Sequence, residues 1–153
     1  YSSAASDVYK RQELDWYLLE NPDHKHMQNW VKKLLHIYQK NPALYELDSS
    51  WGGFEWINAN DAERSIFSFI RRDETQKKNL LFICNFTPVD RDDYRVGVPK
   101  RGTYTLLLDQ EHGYYKRGDK ISHYRSIKSE CDGQPYSFAY PLPAYGTAVF
   151  RFS

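Results

Sequence analysis

Asn79-Leu80-Leu81-Phe82-Ile83-Cys84-Asn85-Phe86-Thr87-Pro88 is the stretch that decides the fold of this 153-residue chain. Leu80 to Cys84 is an unbroken apolar run, bounded by polar Asn79 and by the breaker Pro88. A run this short and this apolar is expected as a strand buried on both faces. Upstream, Ser65 to Arg72 alternates, with Ile66, Ser68 and Ile70 on one face and Phe67 and Phe69 on the other. The polar segment Asp73-Glu74-Thr75-Gln76-Lys77-Lys78 between the two runs predicts a hairpin with a solvated loop, central to a sheet domain.

Working outward, further short strands are predicted at 54–58, 94–98, 103–109, 124–129, 136–142 and 146–152, beside the pair at 65–72 and 79–86. Asn60-Asp61, Lys100-Arg101-Gly102, Asp132-Gly133-Gln134-Pro135 and the prolines Pro99, Pro141 and Pro143 punctuate them. Short strands at such spacing predict a mainly β chain, an antiparallel β-sandwich. The segment from His112 to His123 has no period and reads as a loop, and Asp90-Arg91-Asp92-Asp93 reads as a solvated turn.

Before Asp48 the period is different. Asn21-Pro22-Asp23 offers a cap, a proline at the first helical position and an acid in the first turn, all of which favour a helix start. Met27, Trp30, Val31, Leu34, Leu35 and Tyr38 then recur at the spacing of one helix face, and Asn41-Pro42 stops the helix. One long amphipathic helix over about 22–40 therefore precedes the β domain, with a boundary near Asp48 to Gly53. A short turn is expected at Ala43 to Leu47. Glu13 to Glu20 reads as irregular with a short turn. Tyr1 to Gln12 has no period and resembles translated adapter sequence, so it is taken as a non-native or disordered leader.

Composition excludes several functions. Lys and Arg (21) nearly balance Asp and Glu (20), leaving a formal charge of +1 and no case for nucleic acid or an anionic membrane as partner. No apolar run is long enough to span a bilayer. Two cysteines, Cys84 and Cys131, make no disulfide framework and suit a cytoplasmic location. Hydrolase elbows, phosphate-binding glycine loops and H-E-x-x-H or C-x-x-C motifs are missing from the sequence, and His24 and His26 stand two apart, which does not align them on a helix face. No catalytic residue, metal site or cofactor is expected. The aromatic share of 16%, with 13 Tyr and 4 Trp, suits a carbohydrate-contacting surface, but most Tyr and Trp in a β domain are half-buried packing residues, and packing is the preferred reading.

Several stretches carry a resemblance. ELDWYLLE at 13–20, MQNWVKKLLHIYQKNPALYELD at 27–48, GFEWI at 53–57, NFTPVDRDDYRVGVP at 85–99 and PYSFAYPLPAYGTAVFRF at 135–152 resemble the C-terminal part of bacterial 1,4-alpha-glucan (glycogen) branching enzymes of the alpha-amylase superfamily. The resemblance implies that residues 13–48 are the last loop and helix of a (β/α)8 catalytic barrel and that residues 49–153 form the C-terminal all-β domain. It also implies a parent that transfers an α-1,4-glucan chain to a 6-hydroxyl, with glycogen or amylose and the missing barrel as partners. The motifs around that family's catalytic carboxylates have no counterpart here, so the fragment by itself is expected to be inert. Because ELDW follows the last barrel strand, Asp15 and Trp16 become candidate substrate contacts, Trp16 by stacking on a glucose ring and Asp15 by accepting a hydroxyl hydrogen bond. The alternative for them is a packed tryptophan and a turn cap. Trp51, in a Gly-rich loop, is a third substrate-binding candidate, whereas Trp56, inside a strand, is assigned to the core. A glucan-binding β module, or the last domain of a related amylase-type hydrolase, is the rival reading.

Overall fold

The computed structural model describes residues 14–109, 113–114 and 121–153. The adapter-like leader lies outside these residues, as does most of the stretch from His112 to His123. By compactness the chain divides into two units, Tyr1–Lys33 and Leu34–Ser153.

In the first unit a 3-10 turn over Trp16–Glu20 precedes helix α1, Pro22–Lys40. Asn21 caps the helix as expected, its Oδ1 accepting from the Asp23 N–H at 2.9 Å. The far end of α1 belongs to the second unit. There Ile37 is buried, and Asn41 Nδ2 donates to the Ile37 carbonyl at 2.8 Å, closing the last turn. A 3-10 turn follows at Pro42–Leu44, with Ala43 fully buried.

The second unit is the sandwich expected from the strand spacing. Strands β1 (Phe54–Asp61), β2 (Ile66–Arg71), β3 (Asn79–Asn85), β4 (Arg91–Val98), β5 (Thr103–Asp109), β6 (Gly113–Tyr114), β7 (His123–Arg125), β8 (Tyr136–Leu142) and β9 (Thr147–Phe152) pair antiparallel throughout. The larger sheet runs β1-β2-β3-β9-β5-β6, with β7 also on β5, and the smaller one pairs β4 with β8. The hairpin β2–β3 forms in the register that sets Phe69 opposite Phe82 and Ile70 opposite Leu81. Strand β3, flanked by β2 and β9, is central. Between the sheets lie Ile66, Ile70, Leu81, Ile83 and Phe150 from one side and Tyr94, Val96, Phe138 and Tyr140 from the other.

Three local readings are corrected. Gly113–Tyr114 pairs with Asp109 and Leu108, and His123 pairs with Thr105, in a stretch read as loop. Backbone pairing on the free edge of β5 needs no side-chain period, so none was visible. Arg91 to Asp93 belongs to β4 rather than to a turn, because a register shift between Arg91 and Tyr94 lets exposed acids continue the strand. The strand expected at 124–129 stops at Arg125, leaving only a bridge from Ile127 to Ser137.

Two polar side chains organise the loops. Asp73 is buried in the otherwise exposed β2–β3 loop, where its Oδ1 accepts from the Lys77 and Lys78 amides at 3.0 and 3.2 Å and its Oδ2 from the Thr75 hydroxyl at 2.6 Å. Burial opposes its ionisation, but these donors outweigh that cost and hold the carboxyl below its ordinary pKa. Asn85, 3% exposed, explains the Asn-Phe-Thr-Pro motif. Its Nδ2 donates to the Val89 and Pro143 carbonyls, both at 2.9 Å, and its Oδ1 accepts from the Thr87 amide and hydroxyl at 3.0 and 2.7 Å. One side chain thus ties the β3–β4 loop to the β8–β9 turn. Asn85→Ala removes all four of these bonds from a buried position, leaving the Gly146 amide as the remaining donor to the Pro143 carbonyl, and is expected to cost about 1–3 kcal/mol. Urea unfolding measures it, and an unchanged midpoint would show that the two loops hold without it.

Candidate functional site

The larger sheet buries one face and offers the other. Because side chains alternate along a strand, burying Ile66, Ser68 and Ile70 turns Phe67 and Phe69 to the opposite face. Register then sets Trp56 of β1 and Phe82 of β3 on either side of Phe69. The rings form one connected array. Phe69 stacks on Phe82 with centroids 4.8 Å apart and planes 5° apart, and on Phe54 at 5.2 Å. Trp56 meets Phe54 edge-on at 5.0 Å and Phe69 at 5.7 Å, and Phe67 meets Phe86 at 5.6 Å. Offset and edge-on pairs of this kind stabilise one another beyond simple burial.

The array is open to solvent at Trp56, which is 52% exposed, and at Phe86, which is 63% exposed. The assignment of Trp56 to the core is therefore wrong. Both faces of β2 are apolar, so the alternation could not tell which side would be covered, and a tryptophan opposite Phe69 inherited the error. Charged pairs flank the array: Arg72 with Glu55, and Arg71 with both Asp48 and the Leu44 carbonyl. They tie segment 44–48 and β1 to β2, which holds the rings on a firm backing.

Trp51, 96% exposed, stands on the 3-10 turn Trp51–Gly53. Ser50 Oγ accepts from the Gly52 amide at 3.2 Å, and Gly53 is buried so closely against Leu47 that a Cβ there would come within 2.5 Å of the Leu47 carbonyl. Anchored at Gly53, the turn projects the indole outward. Asp15 and Trp16 belong to the first compact unit and are both exposed. The Asp15 carbonyl accepts from the Leu18 amide at 3.0 Å to open the 3-10 turn, while its side chain makes no cap hydrogen bond. Trp16 is 66% exposed rather than packed under its loop. Of the sequence candidates, Asp15 and Trp16 thus stand side by side and Trp51 stands in the other unit.

These surfaces suit stacking and little else. Aromatic faces bind the apolar faces of sugar rings, and the array lacks a paired acid and nucleophile of the kind glycoside chemistry uses. Among the described residues, no group of three or more His, Cys, Asp and Glu is placed to hold a metal ion, and no helix is long and apolar enough to cross a membrane. Burial pushes up both thiols, Cys131 to about 11 with Asp132 beside it, which makes them poor nucleophiles.

Comparison with known proteins agrees with the fold. The family model described as the alpha amylase C-terminal all-beta domain matches residues 56–153. The chain is similar to the 1,4-alpha-glucan branching enzyme GlgB of Butyrivibrio fibrisolvens, 49% identical over 148 residues, which covers 94% of this chain and 23% of that protein. The corresponding enzymes of Gloeobacter violaceus and Aquifex aeolicus are each 40% identical, over 92% and 85% of this chain and over 19% and 21% of their own lengths. The chain thus spans about a fifth to a quarter of the relatives it matches. With a sandwich of the expected kind in residues 34–153 and a family match over most of it, the chain belongs to the alpha-amylase C-terminal all-beta domain family and corresponds to the C-terminal part of 1,4-alpha-glucan branching enzymes.

Proposed function

We propose that this chain is the C-terminal part of a cytoplasmic glycogen branching enzyme, in which residues 13–48 end the catalytic barrel and residues 49–153 form a structural β domain, with glucan contact by that domain as the second reading. The observation that carries this reading is the 49% identity to a named branching enzyme over 94% of the chain. The parent would cleave an α-1,4 linkage and transfer the freed chain to a 6-hydroxyl. Acid and nucleophile would come from the barrel. Purified alone, this chain should leave the iodine absorbance of amylose unchanged.

Two features support a division of labour. Met27, Val31, Leu34, Leu35 and Tyr38 are 40–61% exposed along α1, a stripe suited to docking the barrel. Trp51 and Trp56 offer exposed indoles suited to glucose rings, with Asp15 and Trp16 contributing on the barrel side. Amylose in a native gel should retard the chain, and Trp56→Ala should weaken that retardation roughly tenfold, as loss of about 1–1.5 kcal/mol of ring stacking implies. Trp51→Ala should weaken it less, since its ring has no aromatic neighbour among the described residues. Equal migration of all three proteins with and without amylose would reject the glucan-contacting role and leave the β domain as a structural cap.

A further inference from the structure

At the end of β5 remote from β6, the turn before the strand and the segment after β7 border an open hollow of about 700 Å³ lined by Arg101, Gly102, Thr103, Arg125, Ser126, Ile127 and Lys128. That volume falls within the range of small-molecule sites. Its charge is one-sided: three cations line it and no carboxylate does. Over the whole chain the two signs nearly cancel, so this concentration is local. None of the three cations forms an ion pair with a described residue, although Arg64, Arg71 and Arg72 all do.

The frame beneath these cations is held firmly. Thr103 pairs with Arg125, and the Ser126 amide donates to the Gly102 carbonyl at 3.0 Å. The buried Ser126 hydroxyl accepts from the Gly102 amide at 2.9 Å and lies within hydrogen-bond distance of the Lys100 and Gly102 carbonyls. Three cations gathered at one hollow raise the local positive potential, which suits an anion seated among them. Guanidinium groups present paired donors matched to a phosphoryl group, and an ammonium adds a third charge. Ile127, 53% exposed, adds an apolar side chain to the lining. We infer that the hollow between Arg101, Arg125 and Lys128 is a binding site for a phosphoryl group, free or carried on a small molecule. It is separate in sequence and lining from the aromatic array and does not rest on the branching-enzyme reading.

The test is a nitrogen-15 correlation titration of the 153-residue chain at low ionic strength with inorganic phosphate, glucose 6-phosphate and glucose. Saturable shifts of the Gly102, Thr103, Ser126 and Lys128 amides with phosphate or its ester, and none with glucose, are expected. The double variant Arg125→Ala, Lys128→Ala should weaken binding about tenfold or more, as loss of charge-assisted donors does. Trp56→Ala should bind as the parent does. Tighter binding of the ester identifies a sugar phosphate as the ligand, and equal binding identifies the free ion. The three side chains are exposed, so the variants should keep the parent melting temperature; Arg101→Ala provides an independent variant if the double one does not. Absence of saturable shifts, or a double variant that folds and titrates like the parent, overturns the inference.

Discussion

Phe150→Ala should unfold the β domain at a markedly lower urea concentration, with a loss of about 3–5 kcal/mol, the range for large aromatic truncations in a core. Phe150 is fully buried in β9, between Leu81 of β3 and Leu106 of β5. From the smaller sheet Phe138 and Tyr140 meet it at 5.2 and 5.1 Å, and Tyr124 of β7 meets it edge-on at 5.5 Å. One ring therefore joins the two sheets to the short strand that extends β5. Domains of this size are stable by only about 5–15 kcal/mol, so the variant forfeits a large part of the total. Near-ultraviolet circular dichroism should also flatten, since Tyr124 and Tyr140 lose the neighbour that fixes them. A parent-like midpoint would mean that the sheets hold together through other residues.

Gly97→Ala should be nearly as damaging, although it adds only a methyl group. A Cβ at Gly97 would lie 2.0 Å from the Cys131 carbonyl oxygen and 2.8 Å from its carbon, so the backbone of the 131–134 turn has to move. That turn has little freedom. Asp132 and Gly133 both take positive φ, 52° and 71°, and Cys131 and Gln134 bridge across them. Asp132 also accepts from the Gly97 amide at 2.9 Å and from Asn58 Nδ2 at 2.8 Å, which links β4 to β1. Displacing the turn breaks both bonds as well as straining the backbone. The sum is about 3 kcal/mol or more, at the upper end of overpacking costs. Thermal unfolding would measure it, and a variant melting with the parent would show that the turn yields freely.

Much of the architecture was legible from periods and breakers, because these act within a few residues. The α1 stripe, its Asn21 cap and its stop at Asn41-Pro42 are short-range features and were found where the sequence placed them. The β2–β3 hairpin was equally plain, since an unbroken apolar run beside an alternating one leaves few alternatives. Strand ends were less plain. At β4 a bulge carried polar residues into the ladder, and at β6 pairing came from the edge of β5 rather than from any pattern in Gly113–Tyr114.

The candidate surface was legible only in part. Trp51 stood out because a glycine pair follows it, and its exposure follows from the anchoring of Gly53 against Leu47. Trp56 did not stand out, since a tryptophan in a strand reads as core until the layers are known. By itself the sequence determined most of the elements and their order, because turn chemistry and periodicity are local properties of the chain, and the resemblance of its motifs pointed to the family. Only the tertiary structure decided which face of the larger sheet carries an open aromatic array, why Ile37 rather than Leu34 or Leu35 is buried at the end of α1, and how Arg101, Arg125 and Lys128 come to line one hollow. Each of those depends on which distant strands pair and what then covers them, and that is a property of the assembled layers rather than of any one segment.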